Sequence, residues 1–322
     1  MKRLTRRTLI EGFAAFSAGT ILPAAAQQNR PIRLLVGFPP GTAPDTVARI
    51  VTHKMSENMG QQFVVENVAG AGGMIAAAQA AKAAPDGNTL FMNTVSDMSI
   101  APHIYSKLNY SPKDFALISH LVYTDFILVV PPSVQAKSVA EYIAWAKKQT
   151  PMFMATFGPG SPAHFGIAMF ANSIGLKVEP VHYKTTADAM TGVLSGAVPG
   201  LFVTASLGVQ YVKDGKLRAL AVTSPSRLAQ LSDVPSFAEL GFPQAVFAAW
   251  FGLAAPSATP TSVLERISVE ARKALQNADV RQKLEAAGFR ISGTSKDEFS
   301  VIAQKEYSSW GDAARSTGFR AD

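Results

Sequence analysis

Cysteine is absent from the chain. That excludes disulfides, thiolate metal sites, a cysteine nucleophile and a lipidated N-terminal cysteine. In an oxidising compartment such a chain must draw its stability from packing. Histidine is scarce as well: His53, His103, His120, His164 and His182 are the whole set. No two of them stand at a metal-ligand spacing, so neither a metal nor a cofactor is expected. Charged residues make up only 16% of the chain. They are scattered, without a basic stripe interleaved with aromatics, and nucleic acid is not an expected partner. No internal repeat or low-complexity segment appears, and an apolar run stands near the N-terminus.

That run belongs to the first 26 residues. Lys2, Arg3 and the pair Arg6-Arg7 precede an apolar stretch from Phe13 to Leu22, and Ala24-Ala25-Ala26 follow ahead of Gln27. A basic start, a short apolar middle and an Ala-x-Ala-like site describe a cleaved export signal. The alternative is a membrane anchor, but the run is too short for the ~30 Å hydrocarbon core. The paired arginines suggest the twin-arginine route, whereas Glu11 and the Ala-rich middle fit either export path. A net +3 leaves with this segment, so the formal +7 of the whole chain becomes +4 in residues 27–322. A mature chain of that length fills one large or two modest domains. Its mild positive field favours collecting small anions.

Short apolar runs then alternate with helical patterns. Pro31 to Phe38 reads as a buried strand, Asp45 to Asn58 as a helix ended by Gly60, and Phe63-Val64-Val65 as a strand. Met74 to Ala84 is an Ala-rich helix, and Thr89 to Met92 is the next strand. A second series starts near Phe126, with strands at Ile127–Val130, Met154–Phe157, Val178–His182, Leu201–Thr204 and Leu217–Val222. Helices fit between them at Val139–Gln149, Pro162–Ile174, Ala187–Leu194 and Val209–Lys213. A return strand at Val246–Ala254 and helices at Thr261–Asn277, Val280–Ala287 and Lys296–Ser316 close the chain. The order argues for α/β architecture with mainly parallel sheets flanked by helices.

Three loop-to-helix junctions share one design. They are Gly41-Thr42-Ala43-Pro44-Asp45, Gly70-Ala71-Gly72-Gly73 before Met74, and Gly158-Pro159-Gly160-Ser161-Pro162. Thr42 and Asp45 have capping-box spacing, and Ser161 is placed as an N-cap with Pro162 following. Each junction follows a strand and offers backbone N–H groups at the positive end of a helix, which suits an anion. Each is also what an ordinary cap looks like. Three of them, split between two halves, favour a cleft closing on an anion.

Enzyme signatures are poor by comparison. Ile75 stands where the Rossmann pattern needs its third glycine, and no Walker lysine follows a glycine run. Gly158-x-Gly160-Ser161 is a loose nucleophile elbow that Pro162 disrupts. His53 falls on a helix flank and is expected to be solvated. His164, in the first turn after Ser161, is placed near the ligand. Lys184 could meet an anion or stay in solvent. Leu264, Ile267, Ala271 and Leu275 read as a core stripe.

The chain from Pro31 onward resembles, nearly end to end, the Bug family of periplasmic solute receptors, the binding proteins of tripartite tricarboxylate transporters. The marks are Pro31-Ile32-Arg33-Leu34-Leu35-Val36-Gly37-Phe38-Pro39-Pro40-Gly41 with Asp45 and Ala48-Arg49, then Gly60-Gln61 and Val64-Val65-Glu66-Asn67. Gly70-Ala71-Gly72-Gly73 and Pro85-Asp86-Gly87-Asn88-Thr89-Leu90 follow. Later come Gly215-Lys216-Leu217-Arg218-Ala219-Leu220-Ala221-Val222, Asp233-Val234-Pro235-Ser236 with Glu239-Leu240-Gly241, and Trp250-Phe251-Gly252-Leu253. The resemblance implies a two-lobed Venus flytrap with crossing strands. Lobe 1 would be residues 27–124 plus 248–322, and lobe 2 residues 125–247. It implies a periplasmic, non-catalytic receptor, a monomer that hands a small carboxylate to integral membrane permease subunits.

The site implied runs through Phe38, Pro40, Gly41, Thr42, Ala43 and Asp45, with Gly72, Thr94 and Ser96 completing the first-lobe wall. From the second lobe come Gly158, Gly160, Ser161, His164, Tyr183, Phe202 and Val203. The chain departs from the family at three points. Thr42 replaces a usual second glycine, Thr185 follows Tyr183-Lys184 where glycine is common, and Val203 replaces a common acid after Phe202. Without that acid, an ammonium group in the cleft would be costly, so a dicarboxylate or aromatic acid is favoured over an amino acid. Two other readings stay open: a periplasmic α/β hydrolase using Ser161 and His164, and a receptor presenting its ligand to a membrane sensor kinase.

Overall fold

The computed structural model describes residues 30–149 and 151–321. The export signal read above lies outside the described residues.

The first half is built on β1 (Ile32–Val36), a strand between β2 (Phe63–Asn67) and β3 (Thr89–Thr94), all three parallel. Ile32, Leu34, Leu35 and Val36 have no exposed surface, as befits a strand covered on both faces. Arg33 is its exposed residue and makes a two-pronged bond to Glu66 on β2, both contacts at 2.7 Å. Helix α1 (Ala43–Met59) follows β1 and buries Val47, Ala48, Val51 and Met55 along one stripe. Gly60, left-handed at φ 61°, ends it as expected. Helix α2 (Met74–Ala81) joins β2 to β3, and a one-turn π-helix (Ser96–Ile100) leads into α3 (Ala101–Ile104).

The decisive strand is β4 (Phe115–Val130), sixteen residues long. Its first part pairs antiparallel with β9 (Ala248–Pro256) from Phe115 to Asp125 and with the short β10 (Phe289–Ile291) from Val122 to Thr124. From Phe126 onward it pairs antiparallel with β7 (Leu201–Thr204) and β8 (Arg218–Val222). The strand therefore belongs to both halves. Sequence periodicity finds only Ile127–Val130, because Ser119, His120, Thr124 and Asp125 interrupt the apolar pattern. All four are buried at 1% exposure or less.

The second half carries β5 (Met152–Thr156) between β6 (Val178–His182) and β7, again parallel. Helices α4 (Val139–Ala146), α5 (Pro162–Ile174), α6 (Thr186–Leu194) and α7 (Ala205–Lys213) accompany them. The strand order is β2-β1-β3-β9-β4-β7-β5-β6, with β8 and β10 also on β4. Each half is thus mixed rather than mainly parallel. Three parallel strands lie outermost, and antiparallel crossing strands lie between them.

Helices α8 (Thr261–Gln276) and α9 (Ala278–Ala286) cover the first half, and Leu264, Ile267, Ala271 and Leu275 are core as expected. The last helix, α10 (Lys296–Thr317), lies against β4 and α3, and it also contacts α5 of the second half. Trp310 packs edge-on to Phe165 and Phe247, and the Ala321 N–H donates to the Ile104 carbonyl at 2.9 Å. No helix among the described residues is long and apolar enough to cross a membrane.

Candidate functional site

A cavity of about 790 Å³ opens between the halves, over the crossing strands. That volume falls within the range of small-molecule sites. The parallel strands send their carboxyl ends to this side, the place where open α/β sheets receive ligands. A groove of about 870 Å³ lies outside it, beside α1 and α9. Its walls carry opposed charges, Arg49, Lys54 and Lys283 against Glu57 and Asp279, and no loop from a strand's carboxyl end enters it.

The first wall is the loop after β1. Gly41 turns it at φ 80°, and its N–H donates to Asp45 Oδ2 at 2.8 Å. Thr42 occupies the N-cap position of α1 without capping it; its Oγ1 donates to the Pro39 carbonyl at 2.7 Å. The expected capping box is therefore not formed, because Asp45 reaches one residue further back, to Gly41. Asp45 also accepts from Arg49 Nε at 3.0 Å and from Asn67 Nδ2 at 2.8 Å, while Asn67 donates to the Phe38 carbonyl. Burial pushes the Asp45 carboxyl up, but the bonds from Arg49, Gly41 and Asn67 prevail and hold it below the usual carboxylate range. Phe38, Gly41, Thr42 and Ala43 line the cavity; Pro40 and Asp45 do not. Asp45 acts behind the wall, fixing the loop.

Gly72 is likewise absent from the lining. The glycine run serves a backbone contact instead: a Cβ added to Gly37 would lie 2.5 Å from the Gly73 Cα. Backbone cannot yield as a side chain does. Gly37→Ala should therefore lower stability by roughly 1–3 kcal/mol, read as the shift of a urea midpoint at unchanged slope. An unshifted midpoint would show that the loops part freely.

Thr94 and Ser96 line the cavity. Behind them Asp97 is fully buried and accepts from the Thr94 N–H and from Thr94 Oγ1 at 2.7 Å. Burial raises its pKa to about 7 against these bonds.

In the second half Ser161 caps α5. Its Oγ accepts the His164 N–H at 3.3 Å and donates to the Gly158 carbonyl at 2.9 Å. Gly158 and Gly160 supply positive φ to that loop, and Gly160 abuts Ile104 and Phe319. Of these residues Ser161 lines the cavity. His164 does not: its Nδ1 accepts the Gly160 N–H at 3.1 Å, and its ring sits among Phe165, His182 and Phe319. Burial, with the neighbouring His182, lowers its pKa to about 4. Ser161 directs its proton to a carbonyl and His164 directs its acceptor to a backbone amide. The pair is not a nucleophile and base, and the hydrolase reading fails on this geometry.

The remaining expected positions also sit elsewhere. The Tyr183 hydroxyl end lies against Gly192, and Phe202 joins a ring cluster with Phe170, Phe237 and Phe247. Val203 has no exposed surface and packs on Ile127 and Gly208. An acid at that position would enter the core, so the argument from its absence does not hold. Its neighbour Thr204 faces the cavity, where Ser206 Oγ donates to Thr204 Oγ1 at 3.2 Å.

Lys184, read from the sequence as meeting an anion or staying in solvent, and further residues not anticipated there complete the site. Lys184, Thr185, Thr186 and Ala187 bring the N-terminus of α6, and Thr204, Ser206 and Leu207 that of α7. The cavity thus receives four helix N-termini, those of α1, α5, α6 and α7, and α2 is not among them. The floor is Thr124, Phe126, Ala249, Phe251 and Phe289. The Thr124 hydroxyl is buried with no partner among the described residues. Among the described residues Lys184 is the single charged one in the lining. Among the described residues no group of three or more His, Asp or Glu could hold a metal.

Comparisons with known proteins bear on the family and the fold. Residues 47–319 match the family model described as the tripartite tricarboxylate transporter family receptor. The chain is 30% identical to protein BugT of Bordetella pertussis, over 98% of each chain. An R. palustris protein solved with adipate is 28% identical, with a TM-score of 0.83 over 90% of this chain and 98% of that one. MatC from Rhodopseudomonas palustris, with bound malate, is 28% identical, with a TM-score of 0.78 over 88% and 98%. The loops that wall the cavity fall within or beside the matched span. The chain belongs to the tripartite tricarboxylate transporter receptor family, whose members are non-enzymatic periplasmic solute-binding proteins.

Proposed function

We propose that the cavity between the halves captures a small organic acid without an α-ammonium group and presents it to the membrane subunits of a tripartite transporter. One observation carries this reading: four helix N-termini and one lysine line the cavity, and no acidic side chain does. A carboxylate gains charge-assisted hydrogen bonds there. An ammonium group would lose its hydration with no counter-charge to replace it. Asp97 does not supply one, because it is sealed behind Thr94 and already engaged. The relatives solved with malate and adipate support the ligand class. Delivery to permease subunits follows from the family's role, and a ligand-presenting sensor would use the same closed form.

At a ligand concentration of about 100 times Kd, binding should stabilise the native state by about 2.7 kcal/mol. In a chain of this size that raises Tm by several degrees. A thermal-shift screen of carboxylates, their α-amino counterparts and their amides should show the rise with plain carboxylates alone. A strong shift with aspartate or glutamate, and none with the others, would overturn the reading.

A further inference from the structure

We infer that Asp97 is a positioning residue for ligand capture: on taking up one proton it turns the Thr94 hydroxyl away from itself and toward a carboxylate in the cavity. Capture of the acid is then coupled to uptake of a proton. This rests on the carboxylate reading above and deepens it.

Thr94 ends β3 and pairs with Phe251 of β9, a residue of the cavity floor, so it stands at the inner end of the first wall. Asp97, three residues on, has no exposed surface. Its two carboxyl oxygens each accept the Thr94 N–H at 3.0 Å, and Oδ2 also accepts the Thr94 hydroxyl at 2.7 Å. Thr94 Oγ1 in turn accepts the Ser96 N–H at 3.2 Å. A hydroxyl has one proton to give, and here it goes to Asp97. Toward the cavity Thr94 then offers lone pairs alone, with a negative charge behind them. Both oppose a carboxylate.

Among the described residues no cation balances that charge. β3 and the loop before α2 bring no titratable side chain; a Cβ on Gly73 of that loop would stand 3.4 Å from Asp97 Oδ2. α3 brings His103, which bonds to the Tyr307 carbonyl of α10. Lys113, Lys296 and Tyr307 share a groove with Met98 and Ser99, the neighbours of Asp97, and none of the three bonds to its carboxyl. Tyr110 meets the residue elsewhere, donating its hydroxyl to the Asp97 backbone carbonyl at 2.6 Å. A buried carboxyl without a counter-charge favours its neutral form, and burial raises this one to a pKa of about 7. Protonated from solvent, Asp97 becomes a donor to Thr94 Oγ1, and the threonine proton is released toward the cavity. A bound carboxylate accepts that proton in a charge-assisted bond and, by linkage, holds Asp97 in its neutral form.

The test is isothermal titration of the full mature chain with adipate, malate and benzoate, from pH 6.5 to pH 8.5, in HEPES and in Tris. The difference in heat between the two buffers counts the protons taken up. At pH 7 binding should take up about half a proton, and Kd should rise roughly five- to twentyfold between the two ends of the range. Asp97→Asn places an amide donor against Thr94 permanently. It should bind at pH 8.5 as tightly as the parent chain binds at pH 6.5, with no proton uptake. Thr94→Val should flatten the profile at the weaker level, and Thr94→Ser should restore the slope. Circular dichroism of each variant checks that it folds. Binding of these acids with a flat profile and no proton uptake in the parent chain would overturn this inference and leave the carboxylate reading standing. A slope that persists in Asp97→Asn or in Thr94→Val would assign the proton to another group and overturn it as well. No binding of any of the three acids would overturn both.

Discussion

Acidification from pH 7 to pH 4 should remove on the order of 5 kcal/mol of native stability through two buried imidazoles alone. His120 has no exposed surface, and its ring is enclosed by Tyr123, Trp250 and Phe299. Neither ring nitrogen has a partner among the described residues. Burial, with the charge of Arg290 adding, pushes its pKa down to about 3, and His164 lies at about 4. Both values are below the 6.5 of an unfolded chain. Their neutral forms therefore contribute stability in full above pH 6.5, and it is lost as pH falls toward 4 and then 3. Asp97 works the other way. Its pKa of about 7 lies above that of a free carboxyl, so protonation returns part of the loss between pH 7 and pH 4. His120→Phe isolates one contribution: unfolding free energies from urea titrations across this range should fall about 3 kcal/mol less for the variant than for the parent chain. Parallel pH profiles would mean that His120 gains solvent before it titrates.

The second large effect concerns the crossing strands. The Asp125 side chain is 2% exposed and receives Arg290 from β10 through two bonds, at 2.9 and 3.2 Å. The Arg290 guanidinium also lies 4.4 Å from the centre of the Tyr123 ring. Arg290→Met keeps most of the stem and removes the charge, leaving a buried carboxylate unpaired. Breaking a wholly buried pair costs about 3–5 kcal/mol; with Arg290 itself 44% exposed, roughly 2–3 kcal/mol is expected here. Adding Asp125→Leu should restore most of it, since the uncompensated charge goes as well. Failure of the double variant to recover would assign the loss to the Tyr123 contact instead.

The parts of this fold legible in the sequence are those with local grammar. Ser161-Pro162 opens α5 and Gly175 closes it, so both ends are found without tertiary information. Strands β6 and β7 match their apolar runs to the residue. The upper part of β4 was hidden because its buried polar residues find their setting across the sheet, from β9 and β10. In the site, the loops after β1 and β5 were legible as strand-to-helix junctions, and the loop after β3 entered only through the family resemblance. The faces of individual residues were not. Val203 and Thr204 show why: side chains alternate along a strand, and a shift of one residue exchanges core for cavity. His164 shows the same limit in a helix, where its first-turn position brings the ring back to Gly160. The glycine run before α2 carried the right signature for an anion and is used for backbone contact.

The end of α10 bears on how tightly any ligand is held. Trp310 and Phe319 tie the end of the chain to Phe165, Phe247 and His164, across the line where the halves meet, while the Ala321 amide holds it to Ile104 on the first-half side. Opening the cleft strains or breaks these contacts, so they act as a preload on the aperture. A receptor biased toward its binding-competent form loses less of its intrinsic affinity to the idle conformer. Part of the measured affinity is then set by surfaces that never touch the ligand, and two relatives with identical cavities could differ in Kd through this helix alone.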